Sequence, residues 1–299
     1  MSIILTRRRF SMAASSLLAA GVLAPAGLAT GAIAAEDPMA ATLQQIERRI
    51  TARLGVAILD TQTGRQWSHR GDERFAMCST FKAIASAAVL ARVDAGEEDL
   101  SRRIKISADD IIDHAPAAEK RIGGFMTMRE LCAAAVTLSD NTAANLILKS
   151  LGGPEGQTRF FRSIGDETTR LDRWEPELNE AQPGDPRDTT TPAAMAKTLQ
   201  TLITGDVLTP QSRQQLSAWM IANTTGGGKL RAGLPRDWVV GDKTGSGRLG
   251  TANDIAVIWP PARKPVFIAV YITETKASMD DRNAALAEIA RTMVTALQG

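Results

Sequence analysis

Ser79 and Lys82 stand three residues apart in "MCSTFKAIASAAVLARV", a run that otherwise reads as an apolar helix. At that spacing two side chains share a helix face, and a serine in the first turn meets the positive end of the helix dipole. A serine is a weak nucleophile until a base takes its proton, and a lysine with a lowered pKa can be that base. The pair alone could equally be a capped helix carrying a solvated lysine. Two further clusters give it company: Ser139-Asp140-Asn141, which closes a helical "AAAVTL" run, and Lys243-Thr244-Gly245, in a β-rich run. In a strand, Gly245 would let a ligand or another backbone approach closely. A polar, Pro-punctuated stretch contributes Glu175 and Asn179 in "RWEPELN". A carboxylate and an amide four residues apart can hold a water between them, and the carboxylate can deprotonate it.

The set S-x-x-K, S-D-N and K-T-G, in that order, resembles the penicillin-recognising serine enzymes. Glu175 and Asn179 resemble the loop motif of the class A β-lactamases in particular, and the likeness extends over about residues 38–299, through "MTMRELCAAAVTLSDNTAANLIL" and "GDPRDTTTP". The resemblance implies hydrolysis of the β-lactam amide of penicillins and cephalosporins through an acyl-enzyme on Ser79, and hence antibiotic resistance. It implies that Lys82 accepts or relays the serine proton and that Ser139 passes a proton to the departing nitrogen. Glu175, with Asn179, would activate the deacylating water. Whether Lys82 or Glu175 is the acylation base stays open. The backbone N–H groups of Ser79 and Ser246 would form the oxyanion hole. Asn141 would bind the substrate's side-chain amide, and Lys243, Thr244, Gly245 and Ser246 would line the strand that takes its carboxylate. Arg173 and Asp188 match the family's ion pair across the loop base. No cofactor or metal is implied. A D-alanyl-D-alanine carboxypeptidase and a non-hydrolytic β-lactam sensor are the competing readings; neither needs the Glu175–Asn179 pair.

Three departures bear on specificity. Many class A enzymes carry an arginine on the strand after K-T-G, where this chain has Ala252. Some relatives use a basic residue in the preceding loop, and Lys229 in "TTGGGKLRAG" holds that place. Lys229 is therefore expected to bind the substrate carboxylate, unless it is a solvated loop lysine; an unchanged kcat/KM in Lys229→Ala would refute the first role. His114 takes the position of an aromatic gatekeeper at the cleft edge, and an imidazole titrates near neutrality. Ser246-Gly247 resembles the cefotaxime-hydrolysing branch, which implies an extended spectrum. Gly247 also leaves Cys78 without the cysteine partner of some carbapenem-hydrolysing relatives.

These residues need elements to hold them. "PMAATLQQIERRITAR" reads as an amphipathic helix and "LGVAILDTQTGRQWSHR" as a hairpin. Residues from about 79 to 220 are mostly helical in pattern, broken by the polar loop at about 170–188. At that length a loop is usually functional. "WVVGDKTGSG", "NDIAVIWPP" and "VFIAVYITET" read as strands, and "DRNAALAEIARTMVTALQG" as a closing helix. The expected fold is α+β, of the β-lactamase/transpeptidase type. An antiparallel five-stranded sheet, flanked by the terminal helices, forms an α/β lobe from 35–70 and 221–299. An all-α lobe, 71–220, is inserted in it, with the site between them.

Of the 299 residues, 44% are hydrophobic and 23% charged, ordinary for a soluble globular protein. The formal charge of +2 includes Arg7, Arg8 and Arg9; without them 32 basic residues face 33 acidic ones. No basic surface is left to favour nucleic acid or an anionic membrane. Residues 1–34, with Arg7-Arg8-Arg9-Phe10, an Ala/Gly-rich apolar run and Ala32-Ile33-Ala34, read as a twin-arginine-type export signal. The expected product is a periplasmic or secreted monomer without a stable membrane anchor. Cys78 and Cys132 are expected as buried free thiols, and His69 and His114 offer no zinc-ligand spacing.

Overall fold

The computed structural model describes residues 38–298. The expected export signal lies outside them. Helix α1 (Pro38–Arg49) is followed by β1 (Arg53–Asp60), β2 (Gln66–His69) and the two-residue β3 (Phe75–Ala76). α2 (Phe81–Asp94) leads to β4 (Arg103–Lys105), β5 (Phe125–Thr127), α3 (Met128–Thr137), α4 (Asn141–Leu151) and α5 (Gly153–Ser163). Then come β6 (Thr189–Thr190), α6 (Pro192–Thr204) and α7 (Pro210–Ile221). The chain closes with β7 (Val239–Ser246), β8 (Ala252–Trp259), β9 (Val266–Thr273) and α8 (Met279–Gln298).

The five-stranded sheet has the order β2-β1-β9-β8-β7, and every neighbouring pair is antiparallel. Both of its faces are covered. Ile255, Val257, Phe267, Ala269 and Tyr271 pack with the helices of the middle segment. Their strand neighbours Ala256, Ile258, Ile268, Val270 and Ile272 pack with α1 and α8. Alternate side chains of a strand point to opposite faces; with both faces buried, the strands read as continuous apolar runs rather than alternating ones. The middle helices start where their caps permit. Thr127 and Glu130 form a capping box on α3, Asp140 caps α4, and α6 and α7 begin with Thr-Pro pairs.

Three details depart from expectation. The first helix stops at Arg49 and the chain turns at Thr51, with φ +46°. The segment 71–220, expected all-helical, also holds two ribbons, β3–β6 and β4–β5. Each is only two or three residues long, below the length at which strand periodicity is legible. Ser79 lies in a 3₁₀ turn, Cys78–Thr80, rather than in the α-helix it introduces.

Candidate active site

α2 is buried on all sides from Phe81 to Leu90, which makes it the central helix of the larger core. Its first turn therefore carries Ser79 and Lys82 on a rigid base. Lys82 is fully buried. Its Nζ donates to Ser139 O at 2.8 Å and to Asn141 Oδ1 at 2.6 Å, and lies 3.0 Å from Glu175 Oε1. Burial pulls the ammonium pKa down, and the Glu175 carboxylate opposes that pull. Ser79 Oγ donates to the same Glu175 Oε1 at 3.2 Å. Oε1 is thus the common partner of the serine hydroxyl and the lysine ammonium.

Ser139 and Asn141 flank Asp140 at the start of α4. Asp140 accepts from Ala143 N at 2.8 Å, capping the helix, and from Ala117 N and Ala118 N at 2.9 and 3.0 Å. Those bonds hold the 114–118 loop against the helix start. Ser139 adopts φ +58°, uncommon for a residue with a side chain, and so turns its hydroxyl inward. Ser139 Oγ accepts from Lys243 Nζ at 3.1 Å and lies 3.4 Å from Lys82 Nζ. Asn141 Nδ2 donates to Asp113 O. Next to it, His114 is exposed, has φ +63°, and places Nε2 3.1 Å from Leu138 O.

Lys243 points to the helical side of the sheet and is fully buried. Burial first, and then the positive charge of Lys82, push its pKa down to about 7. Thr244 Oγ1 shares a hydrogen bond with Thr225 Oγ1. At Gly245 a Cβ would stand 2.8 Å from Met77 O, so only glycine lets β7 lie this close to the serine turn. Ser246 ends the strand and is exposed. At Gly247 a Cβ would stand 2.7 Å from Cys78 Sγ and 2.8 Å from Asn179 O.

Glu175 is held on both sides. Asn179 Nδ2 donates to Glu175 Oε2 and to Pro176 O. Asn145, on α4, accepts from Glu175 N at 3.0 Å and donates to Glu175 O at 2.9 Å. Asn145 is absent from the expected set, although it stands one helical turn after Asn141, on the same face. The loop ends are joined by Arg173 Nε and Asp188 Oδ2 at 2.6 Å, and Asp188 Oδ1 accepts from Asp172 N and Arg173 N. Asp188 is fully buried, so this is not a surface pair.

No polar contact joins Lys229 to this group. Its Nζ is enclosed without a hydrogen-bond partner, near Asp254 and Asp242 on the face of the sheet away from Lys243. Burial lowers the pKa of Lys229 and raises that of Asp254. It is neither a solvated loop lysine nor a residue exposed to the cleft. Cys78 and Cys132 are both buried and free; burial raises the Cys132 thiol to about 12 and the Cys78 thiol further.

The assembly is a serine whose hydroxyl is bonded to a buried carboxylate–ammonium pair, with a second serine between two lysines. That arrangement can take a proton from one hydroxyl and deliver one through another, as acyl transfer requires. Residues 38–297 match the model of the beta-lactamase enzyme family. The chain is 52% identical over 253 residues to β-lactamase AST-1 of Nocardia asteroides, covering 85% of this chain and 82% of that one. It is 50% identical over 283 residues to β-lactamase OXY-2 of Klebsiella oxytoca, covering 94% and 97%. Among solved structures, the class A β-lactamase of the last common ancestor of Gram-negative bacteria is 63% identical with a TM-score of 0.86, covering 87% of this chain and 99% of that one. A putative class A β-lactamase from Rhodopseudomonas palustris is 54% identical with a TM-score of 0.86, covering 87% and 100%. Identity at this level over nearly the whole described chain, on the same fold, makes this protein a member of the class A β-lactamases, enzymes that hydrolyse β-lactam antibiotics.

Proposed function

We propose that Ser79 is the acylated nucleophile and that Lys82 and Glu175 accept its proton as one coupled unit. The shared oxygen, Glu175 Oε1, supports this most directly: it takes the hydrogen bond from Ser79 and faces the Lys82 ammonium. Two interacting ionisable groups titrate as a pair. In acylation the Ser79 Oγ–carbonyl bond forms and the hydroxyl proton passes to this pair. The oxyanion is held by the backbone N–H groups of Ser79 and Ser246; losing one such donor costs about 3 kcal/mol of barrier. The C–N bond then breaks, and Ser139 Oγ protonates the nitrogen, drawing a proton in turn from its lysine neighbours. In deacylation a water held by Asn179 and Glu175 gives its proton to Glu175 and attacks the ester carbonyl; the carbonyl–Oγ bond breaks and Ser79 Oγ takes that proton back from Glu175, restoring the hydroxyl and the carboxylate.

Lys243, Thr244, Gly245 and Ser246 bind the substrate carboxylate, Asn141 its side-chain amide, and His114 borders the entrance. Lys229 keeps its amine under the sheet and would have to leave that enclosure to reach a carboxylate. Arg173 and Asp188 close the loop that carries Glu175. The substrates are penicillins and cephalosporins, including bulky oxyimino cephalosporins, with carbapenems poor. Among the described residues the α/β lobe comprises 38–70 and 221–298, and the largely helical lobe 71–220. Residues 1–34 direct twin-arginine export to the periplasm or medium, where the enzyme acts as a monomer. Among the described residues no helix is long and apolar enough to cross a membrane.

Stopped-flow hydrolysis of benzylpenicillin and cefotaxime tests the substrate assignment. Turnover of both supports it, and turnover of neither refutes it.

A further inference from the structure

Asn253, on β8, donates its side-chain Nδ2 to Ala76 O at 2.9 Å and to Met77 O at 3.1 Å. These are carbonyls of the chain entering the serine turn. Asn253 is fully buried. Met77 O also accepts from Thr80 Oγ1 at 2.9 Å, and Met77 N donates to Asp188 O at 2.9 Å. Met77 is therefore a junction: its oxygen is tied to the central sheet and its nitrogen to the base of the loop that carries Glu175. The next residue, Cys78, has φ +46°. A side-chain-bearing residue stays in that region only where its surroundings over-determine it. Ser79 follows immediately.

We propose that Asn253 is a positioning residue for the reaction: by holding Met77 O it sets the Cys78 conformation, and with it the Ser79 hydroxyl and N–H relative to Glu175. The proposal rests on the reading of Ser79 as nucleophile. One amide nitrogen supplies both N–H donors, which suits two successive carbonyls better than a hydroxyl or carboxylate would. The bonds are enclosed, so water cannot replace them when they are lost. Residues 76–79 would then relax, and small displacements at a reacting centre are costly in rate. Asn253 pairs with Gly245 across the β7–β8 ladder, but its side chain donates only to Ala76 O and Met77 O, so binding of substrate before reaction should change far less than acylation.

The test is single-turnover kinetics of Asn253→Leu and Asn253→Ala with benzylpenicillin, alongside thermal melting. Losing two buried hydrogen bonds at the turn predicts an acylation rate constant about 10- to 100-fold lower. The pre-acylation dissociation constant should stay within about threefold, and the adduct should still form on Ser79. Asn253→Ala carries the reading if the leucine variant does not fold. A lower melting temperature with an acylation constant within about twofold of the unsubstituted chain would overturn the proposal and leave Asn253 a structural residue. A parallel loss of binding and acylation would also overturn it. Absence of any Ser79 adduct in the unsubstituted chain would refute the nucleophile reading instead.

Discussion

Lys82 Nζ lies 3.0 Å from Glu175 Oε1, and neither side chain has any exposure. An ion pair so placed costs desolvation that its attraction barely repays, and is weak evidence for stability. Its position against Ser79 explains it better. Lys82→Ala should lower the acylation rate constant by about 10²- to 10⁴-fold, the range for a lost general base. Lys82→Arg should not rescue it, because a guanidinium does not give up its proton. Acylation at the native rate in either variant would remove Lys82 from the proton path.

Lys243 titrates near 7 because it is buried beside a second ammonium. Only its charged form attracts a carboxylate, so kcat/KM for benzylpenicillin should fall as pH rises through about 7. Lys243→Arg should move that limb to higher pH. A flat profile between about pH 6 and about pH 9 in the unsubstituted enzyme would contradict the assignment. The stability contribution has the opposite sign. Between about 7 and the ordinary lysine value of 10.5 the unfolded chain holds a proton that the folded chain has lost, so this group makes stability rise with pH there.

Arg173→Ala would leave Asp188 buried with backbone donors only. Breaking a buried pair in this way costs about 3–5 kcal/mol. Denaturant titration should show a loss of that order, and deacylation should slow more than acylation, because the loop carries Glu175. A change below about 1 kcal/mol, the range of a surface pair, would contradict this.

Lys229→Met should leave kcat/KM for penicillins nearly unchanged, because the amine is enclosed away from the cleft, and should lower the melting temperature, because buried Asp254 loses its neighbouring cation. Steady-state kinetics and melting check both points. A loss of kcat/KM above about tenfold would instead show Lys229 reaching the substrate carboxylate.

The fold was legible where side-chain pattern and element length agree. The hairpin, the three late strands and the closing helix fall where the sequence places them. The short ribbons were not, because two or three residues carry no period. The three motifs named Ser79, Lys82, Ser139, Asn141, Lys243 and Thr244, and the structure brings all six together with Glu175 and Asn179. Asn145 and Asn253 were missed for different reasons. Asn145 had a readable signal in its spacing from Asn141. Asn253 sits in an apolar strand, and its partners lie 176 and 177 residues away, so only tertiary pairing reveals it. The enclosure of Lys229 was equally hidden, since a basic residue in a glycine-rich loop reads either as a carboxylate ligand or as solvated.

In the proposed mechanism Ser79 is acylated and Glu175 releases it. Mass spectrometry of the protein and of Glu175→Gln during incubation with benzylpenicillin tests both halves together. Rapid turnover with no lasting adduct is expected for the unsubstituted enzyme, and an accumulating benzylpenicilloyl ester on Ser79 in the variant. A stable adduct on the unsubstituted enzyme with negligible hydrolysis, or an adduct on any other residue, would contradict it.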